Sequence, residues 1–165
     1  FVPQVCIVAQ SEPTQWFQYT FLDEFSRFRY LEALQEHNTY SSTLFLRHVV
    51  QKFPYAIECV QTDNGSEFTN RLLPRGSDKP TLFELELKRM GIRHKLIRPY
   101  TPRHNGKVER SHRKDNEEFY ASHRFYSFDD FKAQLAVRER AYNHFPIRPL
   151  NWRSPKQLLS SFPFL

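Results

Sequence analysis

Two acidic residues, Asp63 and Glu109, stand where a carboxylate could do chemistry. Asp63 follows a short apolar run and precedes Asn64-Gly65, a pair that favours a turn. A strand end is a rigid mount, and a turn beyond it leaves the side chain open to a cleft. Glu109 falls in the first turn of an expected helix, just after a glycine-containing loop. Hard cations such as Mg²⁺ take oxygen ligands and keep water and phosphate in their remaining positions. Two carboxylates from different elements could hold such ions, which in phosphoryl transfer on DNA activate the attacking oxygen and stabilise the leaving one. Each residue also has a plainer reading. Asp-Asn-Gly is a common turn, and the helix dipole alone favours Glu near a helix start.

Charge adds weight to the chemical reading. The chain carries a net +6, but residues 88–114 hold ten Lys or Arg against the single acid Glu109, a local +9 that leaves −3 elsewhere. Lys107 and Arg110 sit beside Glu109, and Arg113 lies one helical turn beyond it, so these cations could meet phosphates. The alternatives are a solvated face and a surface Glu109–Arg113 ion pair. With 39% hydrophobic and 16% aromatic residues over 165 positions, the chain can bury one sizeable core and is no disordered tail. No run of eighteen apolar residues marks a membrane span, and Phe1-Val2-Pro3-Gln4 does not read as a signal peptide. That start, in the middle of an apolar segment, reads as a trimmed end. Cys6 and Cys59 match no metal spacing and read as buried strand thiols suited to a reducing cytosol.

These residues need elements to position them. Residues 16–34 read as two aromatic, β-branched strands joined by a short turn at 23–27, with a further strand at 5–9 and a loop at 10–13. A helix is expected at 39–52, capped by Thr39 or Ser41, carrying Leu44, Val49 and Val50 as its apolar residues and stopped by Pro54. A strand at 57–61 delivers Asp63. Residues 71–80, with Pro74, Gly76 and Pro80, read as an exposed loop, followed by a helix at 81–90 with Phe83, Leu87 and Met90 on one stripe. A strand at 92–97, a loop at 101–106 and a helix at 107–120 follow. The last helix starts after Ser127, with Asp130 at its third position and Phe131, Leu135 and Tyr142 at helical spacing, and ends before Pro146. Strands first, then strands alternating with helices, predict an α/β class with a mixed sheet.

Several blocks, in order, resemble transposases of the retroviral-integrase type. QTDNGSEF at 61–68 and TPRHNGKVER at 101–110 resemble their second and third signature blocks, and FLDEFSRF at 21–28 resembles the turn after their second strand. Tyr142-Asn143, Arg148-Pro149 and Ser154-Pro155 resemble the tail block of the bacterial insertion-sequence enzymes rather than the viral ones. The resemblance runs from about Trp16 to Leu159 and implies an RNase H-like fold, a mixed central sheet flanked by helices, with residues 1–165 forming one catalytic core.

It also implies three acidic metal ligands, Asp, Asp and Glu, for two Mg²⁺ or Mn²⁺ ions. Asp63 matches the second and Glu109 the third, 46 positions apart, longer than the commonest spacing in the family, which the 71–80 loop accounts for as a surface insertion. The first Asp should lie on the first strand, yet no Asp precedes Asp23, which belongs to the structural turn block. The expectation is therefore a first ligand just upstream of Phe1, an inactive fragment, and an end-recognition domain outside the core. Asn64 and Gly65 would aim Asp63; Tyr100 and Pro102 would set loop shape. Arg103, His104, Asn105 and Gly106 resemble a mobile loop beside the site, and Arg103, His104, Asn105, Lys107, Arg110 and Arg113 are the candidate DNA contacts. The implied activity is metal-dependent polynucleotidyl transfer, cutting transposon ends and joining them to target DNA, by a homo-oligomer on the bacterial nucleoid in the cytoplasm. The alternatives are a non-catalytic DNA-binding remnant of a transposase and a simple nuclease of the same fold.

Overall fold

The computed structural model describes residues 4–11, 16–71, 79–97 and 106–162, with side chains from position 16 onward except at 106–109. Five strands form one mixed sheet: β1 (Gln4–Ser11), β2 (Phe17–Asp23), β3 (Arg29–Leu34), β4 (Cys59–Thr62) and β5 (Arg93–Leu96). Their order is β3-β2-β1-β4-β5. The first three strands form an antiparallel meander, while β4 and β5 join parallel to β1 through helical crossovers. β1 runs on through Gln10, which the sequence reading places in a loop, because its full length pairs with β2 from Val5↔Asp23 to Ser11↔Phe17.

The aromatic alternation of β2 settles the two faces of the sheet. Tyr19 and Phe21 point into the larger core, with Phe45, Leu46 and Val49 of α1 (Thr39–Lys52), Phe83 and Leu87 of α2 (Leu82–Arg89), and Leu159 of α5 (Pro155–Ser160). On the other face Leu31 and Ala33 of β3 meet Phe119, Phe131 and Leu135. Here α4 (Phe128–His144) lies against β3. The aromatics of β2 and β3 thus serve as core, as their strand spacing suggests.

The helix ends follow from local chemistry, with two revisions. Asn38, rather than Thr39 or Ser41, caps α1, its side chain accepting from the Ser41 N–H. Val50 of α1 is exposed, and Phe45 and Leu46 take the buried face, because one turn of helix separates them from Val49 on the sheet side. Thr81 and Glu84 form a capping box on α2, and Gly91, at φ +70°, closes its far end where a side chain would be strained. Ser127 caps α4 through Asp130, as expected, and Ser154 with Gln157 boxes the start of α5. The helix expected at 107–120 is α3 (Gly106–Asp115) continued by a five-residue π-helical stretch, Asn116–Tyr120. That wider turn lets Asp115 face the sheet while Phe119 and Tyr120 still reach the smaller core.

Candidate active site

Asp63 sits one residue beyond the carboxyl end of β4, half-buried, on a turn held by a dense set of short bonds. Its Oδ1 accepts the Gly65 N–H at 3.1 Å. Asn64 donates to the Ile97 carbonyl at 2.8 Å, tying the turn to the end of the neighbouring β5. Beneath it the Thr62 hydroxyl contacts the Asp63 carbonyl at 2.9 Å and His94 Nε2 at 2.8 Å. Burial drives the His94 pKa down to about 4, so its ring is a neutral brace at physiological pH. Burial likewise pushes the Asp63 carboxyl above its ordinary range; the Gly65 N–H pulls it back, and the negative charge of Glu67 adds to the rise. No Lys or Arg pairs with Asp63 among the described residues. A carboxylate destabilised by burial and a neighbouring anion, with no Lys or Arg opposite among the described residues and, besides the Gly65 N–H, only the charge of His37 opposing the rise, is suited to a hard metal ion.

Asn70 donates to the Lys79 carbonyl at 3.1 Å, and the Thr81 hydroxyl donates to the Phe68 carbonyl at 2.9 Å. These two bonds join the residues that flank positions 72–78; most of the loop expected at 71–80 lies outside the described residues.

Glu109 lies on α3, whose far end is fixed by a different device. Asp115 is fully buried and bonds the guanidinium of Arg29 from β3 through both carboxylate oxygens, one contact being 3.1 Å. Gln18 of β2 donates to it at 3.2 Å, and Arg138 of α4 bonds it at 3.2 Å while also reaching Glu118 at 2.8 Å. Burial alone would raise the Asp115 carboxyl; Arg29 outweighs it, and the group stays below its ordinary range. Tyr120 completes the network by bonding Gln18. His112, half-buried beside this cluster, is driven down to about 4 by burial and by the Arg29 charge.

Asn143, from the tail block, has a role the sequence does not reveal. Its side chain accepts from the Arg29 N–H at 2.9 Å and donates to the Arg29 carbonyl at 2.7 Å, adding a rung to the edge strand β3. Glu139 takes the Leu31 N–H at 2.6 Å, so α4 covers that edge. Asp23 is buried and structural: its Oδ2 accepts from the Ser26 backbone and hydroxyl at 2.8 and 2.5 Å.

Of the remaining sequence candidates, Arg110 is exposed, and Arg113 is exposed with its guanidinium 2.7 Å from Glu117. Arg113 thus pairs with Glu117, while the Glu109 side chain of the alternative Glu109–Arg113 pair lies outside the described residues. The side chains of Glu109 and Lys107, and all of Arg103, His104 and Asn105, lie outside the described residues. So does the side chain of Cys6, while Cys59 is a free, buried thiol. Among the described residues no group of three or more His, Cys, Asp or Glu could hold a metal ion, and no helix is long and apolar enough to cross a membrane. β1, which neighbours β4 with Ile7 opposite Thr62, has the sequence QVCIVAQS and carries no carboxylate. The first acidic ligand, expected just upstream of Phe1, is accordingly not among its residues.

The comparisons with known proteins agree with this architecture. The chain is 32% identical over 95 residues to a retrovirus-related Pol polyprotein from transposon RE2 of Arabidopsis thaliana, a match that covers 56% of the chain and 6% of that polyprotein. The catalytic core domain of BIV integrase superposes with a TM-score of 0.70 at 17% identity, covering 97% of this chain and 95% of that one. A chain of the simian T-cell lymphotropic virus intasome in complex with the PP2A regulatory subunit B56 gamma gives 0.69 at 18% identity, covering 99% of this chain and 56% of that one. These likenesses establish the fold as RNase H-like α/β. The integrase core domain profile matches residues 7–102, and a second profile of the same description matches 90–155. The chain therefore belongs to the integrase core domain family.

Proposed function

We propose that this chain is the polynucleotidyl transferase core of a transposase of the bacterial insertion-sequence type, which cuts element ends and joins them to target DNA. The observation that carries the reading is Asp63: a half-buried carboxylate at the carboxyl end of β4, raised above its ordinary range, in the QTDNGSEF block of an integrase core. Asp63 and Glu109 would hold Mg²⁺ or Mn²⁺, two ions in the complete site, with a third carboxylate supplied from upstream of Phe1. The ions would supply activation of the attacking oxygen and charge stabilisation at the leaving one. The protein's own part is to fix two carboxylates and to bring cations to the DNA backbone. Lys107, Arg110 and Arg113 on α3, with Arg103, His104 and Asn105 in the preceding loop, would contact phosphates, so affinity would depend little on sequence. The active form would be a homo-oligomer acting on the nucleoid in the cytoplasm.

The test uses the parent protein, with the residues upstream of Phe1 and its end-recognition domain. Cleavage and joining of labelled element ends are expected with Mg²⁺ or Mn²⁺. Asp63→Asn or Glu109→Gln should abolish both steps and leave DNA binding largely intact, because phosphate contacts come from the cations. Replacing Lys107, Arg110 or Arg113 with Ala should each reduce the salt slope of DNA binding by about one unit. A second reading, a DNA-binding remnant without catalysis, is favoured by the absence of any carboxylate on β1. It becomes the better one if the parent protein binds DNA but never cuts it with either metal.

A further inference from the structure

Glu67 is a carboxylate buried next to another carboxylate, which is costly unless something is gained. It is 6% exposed, and its Oε1 lies 2.8 Å from His37 Nε2. His37 comes from the segment between β3 and α1, and its ring is stacked on Phe17 of β2 at 5.2 Å. The pair therefore ties the turn after β4 to a part of the fold 30 positions earlier in sequence, so that a rigid scaffold places a functional turn. Above the pair lies Gly65. A Cβ built there would fall 2.4 and 2.5 Å from the two Glu67 oxygens. The end of a glutamate side chain usually swings aside from such a clash, but this one is buried and held by His37. Gly65 in turn donates its N–H to Asp63 Oδ1, and its carbonyl accepts from the Phe68 and Thr69 N–H groups at 3.0 Å each.

We propose that the Glu67–His37 pair is the positioning element of Asp63: the Glu67 carboxylate packs under the Gly65 backbone, fixes the peptide that bonds Asp63, and is the reason position 65 is glycine. The inference rests on Asp63 being a metal ligand. Glu67 acts through Gly65 and does not itself bind the ion.

The test is a mutant cycle with two readouts. Backbone amide exchange of Gly65 is measured by NMR in this chain without metal, and Mn²⁺ affinity is measured in the parent protein. Glu67→Ala should speed Gly65 exchange and weaken Mn²⁺ binding about 10-fold or more, the range for residues that orient a metal ligand. Glu67→Gln, which keeps the shape and can still bond His37, should retain most of both. Gly65→Ala should weaken Mn²⁺ binding in the presence of Glu67 but add less than about 2-fold in the Glu67→Ala background, where the clash is gone. Independent, additive effects of Gly65→Ala and Glu67→Ala would overturn the proposal, as would unchanged Gly65 exchange in Glu67→Ala. If the unsubstituted parent binds no Mn²⁺, the metal-ligand reading of Asp63 fails, and the exchange data still decide whether the pair holds the turn.

Discussion

The two catalytic candidates are held in opposite ways. Asp63 is fixed by short bonds within its own turn and to the adjacent strand: Gly65 to its carboxylate, Asn64 to Ile97, Thr62 to His94. The helix that carries Glu109 is anchored six residues further on, by Asp115 buried against Arg29, Gln18 and Arg138 from three separate elements. A turn at a strand end inherits its rigidity from the sheet, so mostly local hydrogen bonds hold it. A helix lying over the polar part of a sheet face can slide and roll. A buried ion network resists both motions because its charges have nowhere else to go.

The largest effect expected from breaking this contrast lies on the helix side. Asp115→Ala leaves Arg29 buried without its partner and should cost about 3–5 kcal/mol in urea unfolding, whereas Arg29→Met with Asp115→Leu should recover most of that loss. A double variant as unstable as the single one would show that the network is more than a paired charge.

Acid sharpens the comparison, since each region has one half-buried neutral histidine: His94 against Thr62 and His112 on α3. Both have folded pKa values near 4 against 6.5 in the unfolded chain, so the unfolded state binds more protons in that window. Their contribution is fully present above pH 6.5 and is lost as pH falls toward 4, on the order of 3 kcal/mol each. His94→Gln and His112→Gln should each flatten the fall in stability between pH 6.5 and pH 4. A slope unchanged in both variants would remove these rings as its source.

The smallest effect belongs to the turn. Asn64→Ala loses one bond and leaves the buried Ile97 carbonyl short of a donor, a cost of about 1–2 kcal/mol. The loss should appear as faster amide exchange at positions 63–65, with little change in global stability beyond that amount. A cost as large as that of Asp115→Ala would erase the distinction between the two regions.

Much of this is legible from local chemistry. The strand that delivers Asp63, the strands through residues 16–34, the Ser127 cap and the α2 stripe all depend on neighbours within a few positions. The cap of α1 is one step harder, because Asn38, Thr39 and Ser41 are all competent caps and only the backbone angles of Asn38 select it. The π-helical stretch after Asp115 lies beyond local reading altogether. It exists because the buried charge and the aromatic pair must face different partners at once.

By itself, then, the sequence determined the element types, the apolar faces and the block order that marks an integrase core, since each rests on short-range pattern. Tertiary structure alone decided that Arg29, Asp115 and Arg138 share one buried site, that Asn143 completes an edge strand, and that Glu67 lies under Gly65. Those pairings link positions as many as 114 residues apart. No spacing rule joins such residues; only the order of strands in the sheet and the helices laid across it bring them within bonding distance.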